Sequence, residues 1–241
     1  MAFPSEHPSP SEWVVNQEKA HQYRNIERFN QLWSEKLIVT PLVIMVGGYA
    51  GTGKSTLVED IKKHVNYLSS FATGFARAAA QTFITREQNP ALYESTFRLH
   101  ELCEDPNNKT QIWEKFIEQR TPIENVLSSC GMFIAGEHQN TVIDGNHVSP
   151  SLASKIAAQC NVIPIDIYLK VTNPSTHFAM MCGPTHSRTL SEQDFNTARI
   201  LHDGIILEAE LYCKPIFEWT DSIDGTLAVI DKSLASIVAK F

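Results

Sequence analysis

Residues 48 to 56 read Gly-Tyr-Ala-Gly-Thr-Gly-Lys-Ser-Thr, and no other stretch constrains the fold as strongly. They satisfy the pattern Gly, four residues, Gly-Lys, then Ser or Thr. The run before them, 42–46, is Leu-Val-Ile-Met-Val, short and continuously apolar, as in a strand buried on both faces. After them, Leu57, Val58, Ile61 and Val65 recur at helical spacing. A strand that feeds a glycine-rich turn opening a helix is the context in which this pattern has chemical meaning. Several backbone N–H groups must converge on one phosphate, so the chain has to curl tightly. Glycine allows the backbone angles and close approaches that a Cβ would block. The helix start adds unpaired N–H groups and the positive end of its dipole. The reading is a nucleotide cradle built from Gly48, Ala50, Gly51, Thr52, Gly53, Lys54, Ser55 and Thr56. Lys54 places a point charge between the β- and γ-phosphates of ATP, and the Ser55 hydroxyl is a ligand for Mg²⁺.

The rest of the chain alternates in the same manner. Apolar runs at 141–143 and 162–171, a weaker one at 217–219 and a further strand at 67–72 are separated by stretches of helical pattern at 54–66, 91–103, 109–130, 149–159 and 191–213. Strands alternating with helices predict an α/β domain with a mainly parallel sheet. Ahead of it, Ser9-Pro10-Ser11-Glu12 reads as a helix start. Ile26, Phe29, Trp33 and Leu37 then follow at helical spacing over 11–36. The expected organisation is a flexible segment and helix over 1–36 and the main domain over 37–241. That helix is read as docked on the main domain, with a partner or second copy as the other reading of its apolar stripe.

A nucleotide with Mg²⁺ calls for a carboxylate opposite the loop. Thr141-Val142-Ile143-Asp144-Gly145 supplies one at the end of a buried strand, where ligands collect in such sheets. Asp144 is read as a Mg²⁺ ligand, through water, or as acceptor of a substrate proton. His147 lies three residues on and is read as substrate-binding. Arg77 is read as an arginine on the loop after a strand, able to clamp a phosphate or carboxylate with two hydrogen bonds. Gly183-Pro184-Thr185-His186-Ser187-Arg188 reads as a flexible lid tip that closes over phosphates, with Arg188 as its cation. Arg199, on the next helix, is similarly placed.

Composition excludes several classes. Asp and Glu outnumber Lys and Arg by 27 to 20, leaving a net charge of −7, so bulk nucleic-acid coating is not expected. No apolar stretch approaches the length of a membrane span. The first ten residues, with three prolines and no basic-then-apolar pattern, do not read as a signal peptide. Five scattered cysteines without a close pair read as reduced thiols of a cytoplasmic protein.

Taken together, these elements resemble the 2-phosphoglycerate kinase family of P-loop small-molecule kinases over roughly residues 41–230. The stretches that carry the likeness are GGYAGTGKST, ATGFARAAA with Arg77, NPALYESTF with Ser95 and Thr96, VIDGNHVSPSL with Asp144 and His147, and NTARILHDGIILEAELYCKPIFE with Arg199. The resemblance implies a three-layer P-loop NTPase fold of the nucleoside or nucleotide kinase-like class, with a mainly parallel central sheet, a helical lid and, here, an N-terminal helical extension. It also implies that Lys54 and Asp144 serve phosphoryl transfer from ATP to a small, anionic acceptor bound by Arg77, Ser95, His147 and Arg199, with Arg188 of the lid tip read as the catalytic cation in place of one the family carries elsewhere. Two departures stand out. Gly74 occupies a position where the family commonly has Asp, and His177-Phe178-Ala179-Met180-Met181 stands where its lid usually carries an arginine pair. Met and Ala cannot neutralise a transferring phosphoryl group. Two other readings therefore stay open: a zeta-toxin-like kinase of a nucleotide sugar or other acceptor, and a non-catalytic ATP-binding regulator.

Overall fold

The computed structural model describes residues 23–183 and 189–241. Among them, five strands form one sheet: β1 (Leu42–Gly47), β2 (Leu68–Ala72), β3 (Asn140–Gly145), β4 (Ile163–Lys170) and β5 (Ile216–Glu218). They lie in the order β2-β3-β1-β4-β5, and every neighbouring pair is parallel. β1 is central and buried along its whole length, as its uninterrupted apolar run requires. Because side chains alternate along a strand, Val43 and Met45 enter one core while Leu42, Ile44 and Val46 enter the other.

Helices cover both faces. On the Val43/Met45 side lie α3 (Thr73–Ala80), the single turn α4 (Pro90–Tyr93), α5 (Lys109–Gly136), α6 (Pro150–Gln159), α7 (Pro174–Met181) and α8 (Glu192–Leu211). On the other side lie α1 (Arg24–Ser34), α2 (Lys54–His64) and α9 (Ser222–Val238). The result is the three-layer P-loop NTPase fold, with the glycine-rich turn at the carboxyl end of the central strand.

α1 is tied into the second core. Its Ile26, Phe29 and Leu32 are buried among Leu227, Ile230, Leu234 and Val238 of α9. Its N-terminus has no side-chain cap of its own. The Asp231 carboxylate of α9 substitutes, accepting from the backbone N–H of Asn25 (2.8 Å) and Ile26 (3.1 Å) and from the Asn25 amide (2.7 Å), an anion at a helix N-terminus. The expected stripe is corrected at its end. The helix stops at Ser34, Lys36 takes a left-handed φ of 58°, and Leu37 is exposed, so Leu32 takes its place in the core. Residues 11–22 of the expected helix lie outside the described residues.

Three further expectations change. The stretch 91–103 is not one helix: α4 ends at Tyr93, Glu94 is extended, and a 3₁₀ helix runs over Thr96–Leu102. Carbonyls that would have continued α4 are taken by side chains, with Gln119 on Ala91 and Glu94 (2.6 and 2.8 Å) and Gln81 on Leu92 (2.9 Å). Arg77 lies on α3, which starts directly after β2, and not on a loop. α5 continues past 130 to Gly136 with Pro122 inside it, held by its packing on the first core. No helix among the described residues is long and apolar enough to cross a membrane. All five cysteines are unpaired.

Candidate active site

A cleft of about 1200 Å³ opens at the carboxyl ends of β1, β2 and β3 and is floored by the loop 50–56. The chain reverses there on Gly51 (φ 75°) and Gly53 (φ 84°), angles that L side chains resist. A Cβ on Gly51 would also strike the Met181 side chain of α7 at 2.5 Å. The loop is cross-braced internally. Thr52 is buried and its hydroxyl donates to the Tyr49 carbonyl at 2.8 Å. The buried Lys54 ammonium donates to the same carbonyl at 2.6 Å and lies 3.5 Å from the Asn146 side-chain oxygen. Ser55 and Thr56 are exposed at the start of α2 and line the cleft. Gly48 turns the chain with φ 137° but lies outside the lining.

Asp144 pairs in register with Val46 of β1, so its carboxylate emerges beside the loop and lines the cleft. Burial raises its pKa above the usual carboxylate value, partly offset by the ammonium groups of Lys54 and Lys62. Ser55, exposed, and Asp144 together suit a hard divalent cation, which prefers oxygen donors and keeps several of its waters. Among the described residues no cluster of three His, Cys, Asp or Glu side chains offers a closed protein cage.

Because the loop follows the central strand, the cleft has an arm on each side of it. Toward β3 and β2 it is lined by Asn146, His147, Thr73, Gly74, Arg77 and Ser95–Arg98; toward β4 and β5, by Thr176, Ala179, Met180, Gly183 and Trp219. The first arm carries the guanidinium groups of Arg77 and Arg98, and Thr189, Leu190 and Asp194 also line the cleft. The second is largely apolar with an aromatic edge.

His147 is buried at the first arm and is not a free contact group. Gln119 donates both its amide hydrogens to carbonyls, so its oxygen, 2.9 Å from His147 Nε2, must accept. That fixes the proton on Nε2 and leaves Nδ1 to accept from the Thr73 hydroxyl at 3.4 Å. Burial pushes the imidazole pKa down to about 3, so this histidine is neutral and orients Thr73. Gly145 makes room for the arrangement, because a Cβ there would overlap the Thr73 side chain.

The arginines divide. Arg77 reaches the cleft, but its Nε and NH2 donate to the Leu92 and Glu94 carbonyls (2.9 and 2.7 Å), bracing the irregular segment after α4. Ser95 caps the 3₁₀ helix, its hydroxyl accepting from Phe97 N–H at 3.4 Å. Arg98 also lines this arm and is largely exposed, with Glu101 only at 4.0 Å; the sequence reading passed over it. Arg199 lies outside the cleft lining and is engaged with Val171, His177 and Asp203. Arg188 lies outside the described residues. The cleft thus gathers Lys54, Ser55, Thr56, Asp144, Arg77, Ser95 and His147, and leaves Arg199 behind the wall. Thr73, Asn146 and Trp219 were also missed, although each directly follows a strand end, the position from which a signal was available.

No family model matches the chain. A 2-phosphoglycerate kinase of Methanocaldococcus jannaschii is 25% identical over 226 residues, which covers 90% of this chain and 72% of that protein. A 2-phosphoglycerate kinase of Methanopyrus kandleri is 24% identical over 227 residues, covering 89% of this chain and 67% of that one. Over most of its length the chain is therefore similar to proteins of that name at about one residue in four. The crystal structure of a sugar kinase from Janibacter sp. HTCC2649, unliganded, is similar with a TM-score of 0.48 and 14% identity, covering 83% of this chain and 98% of that one.

Proposed function

We propose that the chain is a kinase that moves the γ-phosphoryl group of ATP to a hydroxyl of a small anionic acceptor. The observation that carries this reading is the placement of Lys54 and Asp144 together at the floor of a cleft with one apolar and one cationic arm. Amide groups of 51–55 and the Lys54 ammonium hold the triphosphate. The base lies in the arm edged by Ala179, Met180 and Trp219. The acceptor's anion lies in the arm of Thr73, Arg77 and Arg98, and 2-phosphoglycerate, from the name of the relatives, is the first compound to try. The acceptor hydroxyl oxygen attacks the γ-phosphorus, the bond to the β–γ bridging oxygen breaks, ADP leaves and Asp144 takes the hydroxyl proton. A carboxylate whose pKa is raised by burial is a stronger base than an exposed one and suits that role. Ser55, and Asp144 only through water, are the residues that would hold Mg²⁺, which would supply charge neutralisation on the phosphate oxygens. Phosphoryl transfer rests on positioned cations and reactants, which is what this cleft offers. Free thiols throughout fit a reducing, cytoplasmic setting.

Acceptor-dependent ADP formation, measured with 2-phosphoglycerate and a panel of phosphorylated hydroxy acids, tests the reading. Lys54→Ala should lower turnover by roughly 10²–10³-fold, the scale for removing a preorganised donor from a transition state. A folded wild-type protein that turns over no acceptor above its ATPase background would overturn it. One observation favours a second reading: α7 faces the cleft with Ala179 and Met180 and no arginine. ATP uptake without transfer to any acceptor would point to a nucleotide-binding regulator.

A further inference from the structure

His177 stands where the resemblance led one to expect a lid arginine. It is fully buried on α7 behind the phosphate loop, outside the cleft lining. Its Nε2 lies 2.8 Å from the Ala50 carbonyl oxygen, which can only accept, so Nε2 carries the proton. Its Nδ1 lies 3.1 Å from Arg199 NH1, and a guanidinium can only donate. Both partners demand the same neutral tautomer. Burial, the largest influence, pushes the His177 pKa down to about 4.

Arg199 is held in turn. NH1 also donates to the Val171 carbonyl at 2.9 Å, and NH2 donates to the Asp203 carboxylate at 2.9 Å. Asp203 accepts as well from His202 Nδ1 at 2.7 Å, and His202 Nε2 accepts the Val171 N–H at 3.1 Å. One carbonyl of the loop is thereby tied to α7, to α8 and to the residue after β4.

The peptide between Ala50 and Gly51 is trans, so its C=O and N–H point in opposite directions. His177 draws the carbonyl toward the interior. Ala50 and Gly51 both line the cleft, so the same plane turns the Gly51 N–H toward it. That N–H has no acceptor among the described residues.

We infer that His177 is a positioning residue that, braced by Arg199 and Asp203, locks the Ala50–Gly51 peptide with its N–H aimed at the nucleotide's phosphates. The inference rests on the nucleotide reading above and extends it to a device that the loop motif itself does not contain. It also gives Arg199 a task other than substrate contact.

The test separates the two ring nitrogens. A glutamine amide reaches about as far as Nε2 and keeps a donor for Ala50, whereas an asparagine amide reaches only about as far as Nδ1. On the full chain, calorimetry with Mg-ATP and Mg-ADP should show affinity falling roughly tenfold in His177→Asn, the scale of one well-placed hydrogen bond. His177→Gln should restore it to within about threefold of wild type. Equal losses in both variants would reduce His177 to packing and overturn the inference. Wild type that binds ATP while His177→Asn binds as tightly would overturn it alone; wild type that binds neither nucleotide would remove the nucleotide reading as well. If His177→Asn does not fold, long-range proton–nitrogen correlation on wild type decides. The Nε2-protonated neutral form is expected at pH 7, and an Nδ1-protonated or charged ring would overturn the inference.

Discussion

Two arginines at one end of the cleft have different surroundings, and the proposed function gives them different tasks. Arg77 donates to two backbone carbonyls of an irregular segment. Its removal takes one of two donors from each carbonyl, since Gln81 still reaches Leu92 and Gln119 still reaches Glu94, so the cost is that of two lost hydrogen bonds, about 1 kcal/mol each. Arg98 is exposed and only distantly paired, so its removal should cost little stability. Arg77→Ala should therefore lower the melting temperature by several degrees. Arg98→Ala should leave it unchanged and raise the KM for a phosphorylated acceptor about tenfold, as loss of a charge-assisted contact does. Steady-state kinetics and thermal unfolding on both variants check this; the reverse pattern would return the acceptor contact to Arg77. Sequence placed Arg77 in the right neighbourhood because it follows a strand. It could not show that the guanidinium is already engaged, because its partners are main-chain atoms 15 and 17 residues away. The same holds for His147, whose neighbours Gln119 and Thr73 come from helices that only the fold brings together.

At the scale of elements, the sequence was most informative where one residue pattern had one physical cause. The central strand, the phosphate turn and the helix after it follow from burial, glycine backbone freedom and helical periodicity over 42–64. α9 was missed although Leu227, Ile230, Leu234 and Val238 lie on one buried face; Gly225, packed against Phe217, weakened the local helical signal. The break at Glu94 was missed because side chains distant in sequence cause it. α1 illustrates the energetic side. Phe29 is fully buried between α1 and the second core, so Phe29→Ala should cost about 3–5 kcal/mol. Deleting residues 1–36 removes that contact together with Ile26 and Leu32 and uncovers the Asp231 carboxylate. We expect a lower melting temperature and little change in ATP affinity, since no residue of α1 lines the cleft. An unchanged melting temperature would show α1 to be dispensable packing, and lost ATP affinity would place it in the site.

At the scale of the whole molecule, two neutral histidines are built into opposite flanks of the cleft floor, and their burial makes stability depend on acid. In the unfolded chain both titrate near 6.5. In the folded protein His147 is pushed down to about 3 and His177 to about 4. Above pH 6.5 neither state binds these protons, and the two histidines contribute no pH dependence. As pH falls below 6.5 the unfolded state takes them up while the folded state does not, so stability falls as pH falls. The slope approaches about 1.4 kcal/mol per pH unit for each histidine. The loss continues to about pH 4 for His177 and about pH 3 for His147. Asp144 and Asp166, with pKa values raised by burial, act in the opposite sense, because the folded state binds their protons more readily. They begin to do so as pH falls through their raised folded-state values and therefore offset part of the loss, whereas the histidines act over the whole interval from pH 6.5 to 5. Urea unfolding across that interval should show a loss of about 2–4 kcal/mol for the pair. His147→Gln, which removes the titrating ring, should make the dependence shallower by about half. A wild-type profile at half the expected slope would mean that one of these rings accepts a proton in place, and a flat one that both do, and with it that their hydrogen-bonding partners are not those that hold the cleft together.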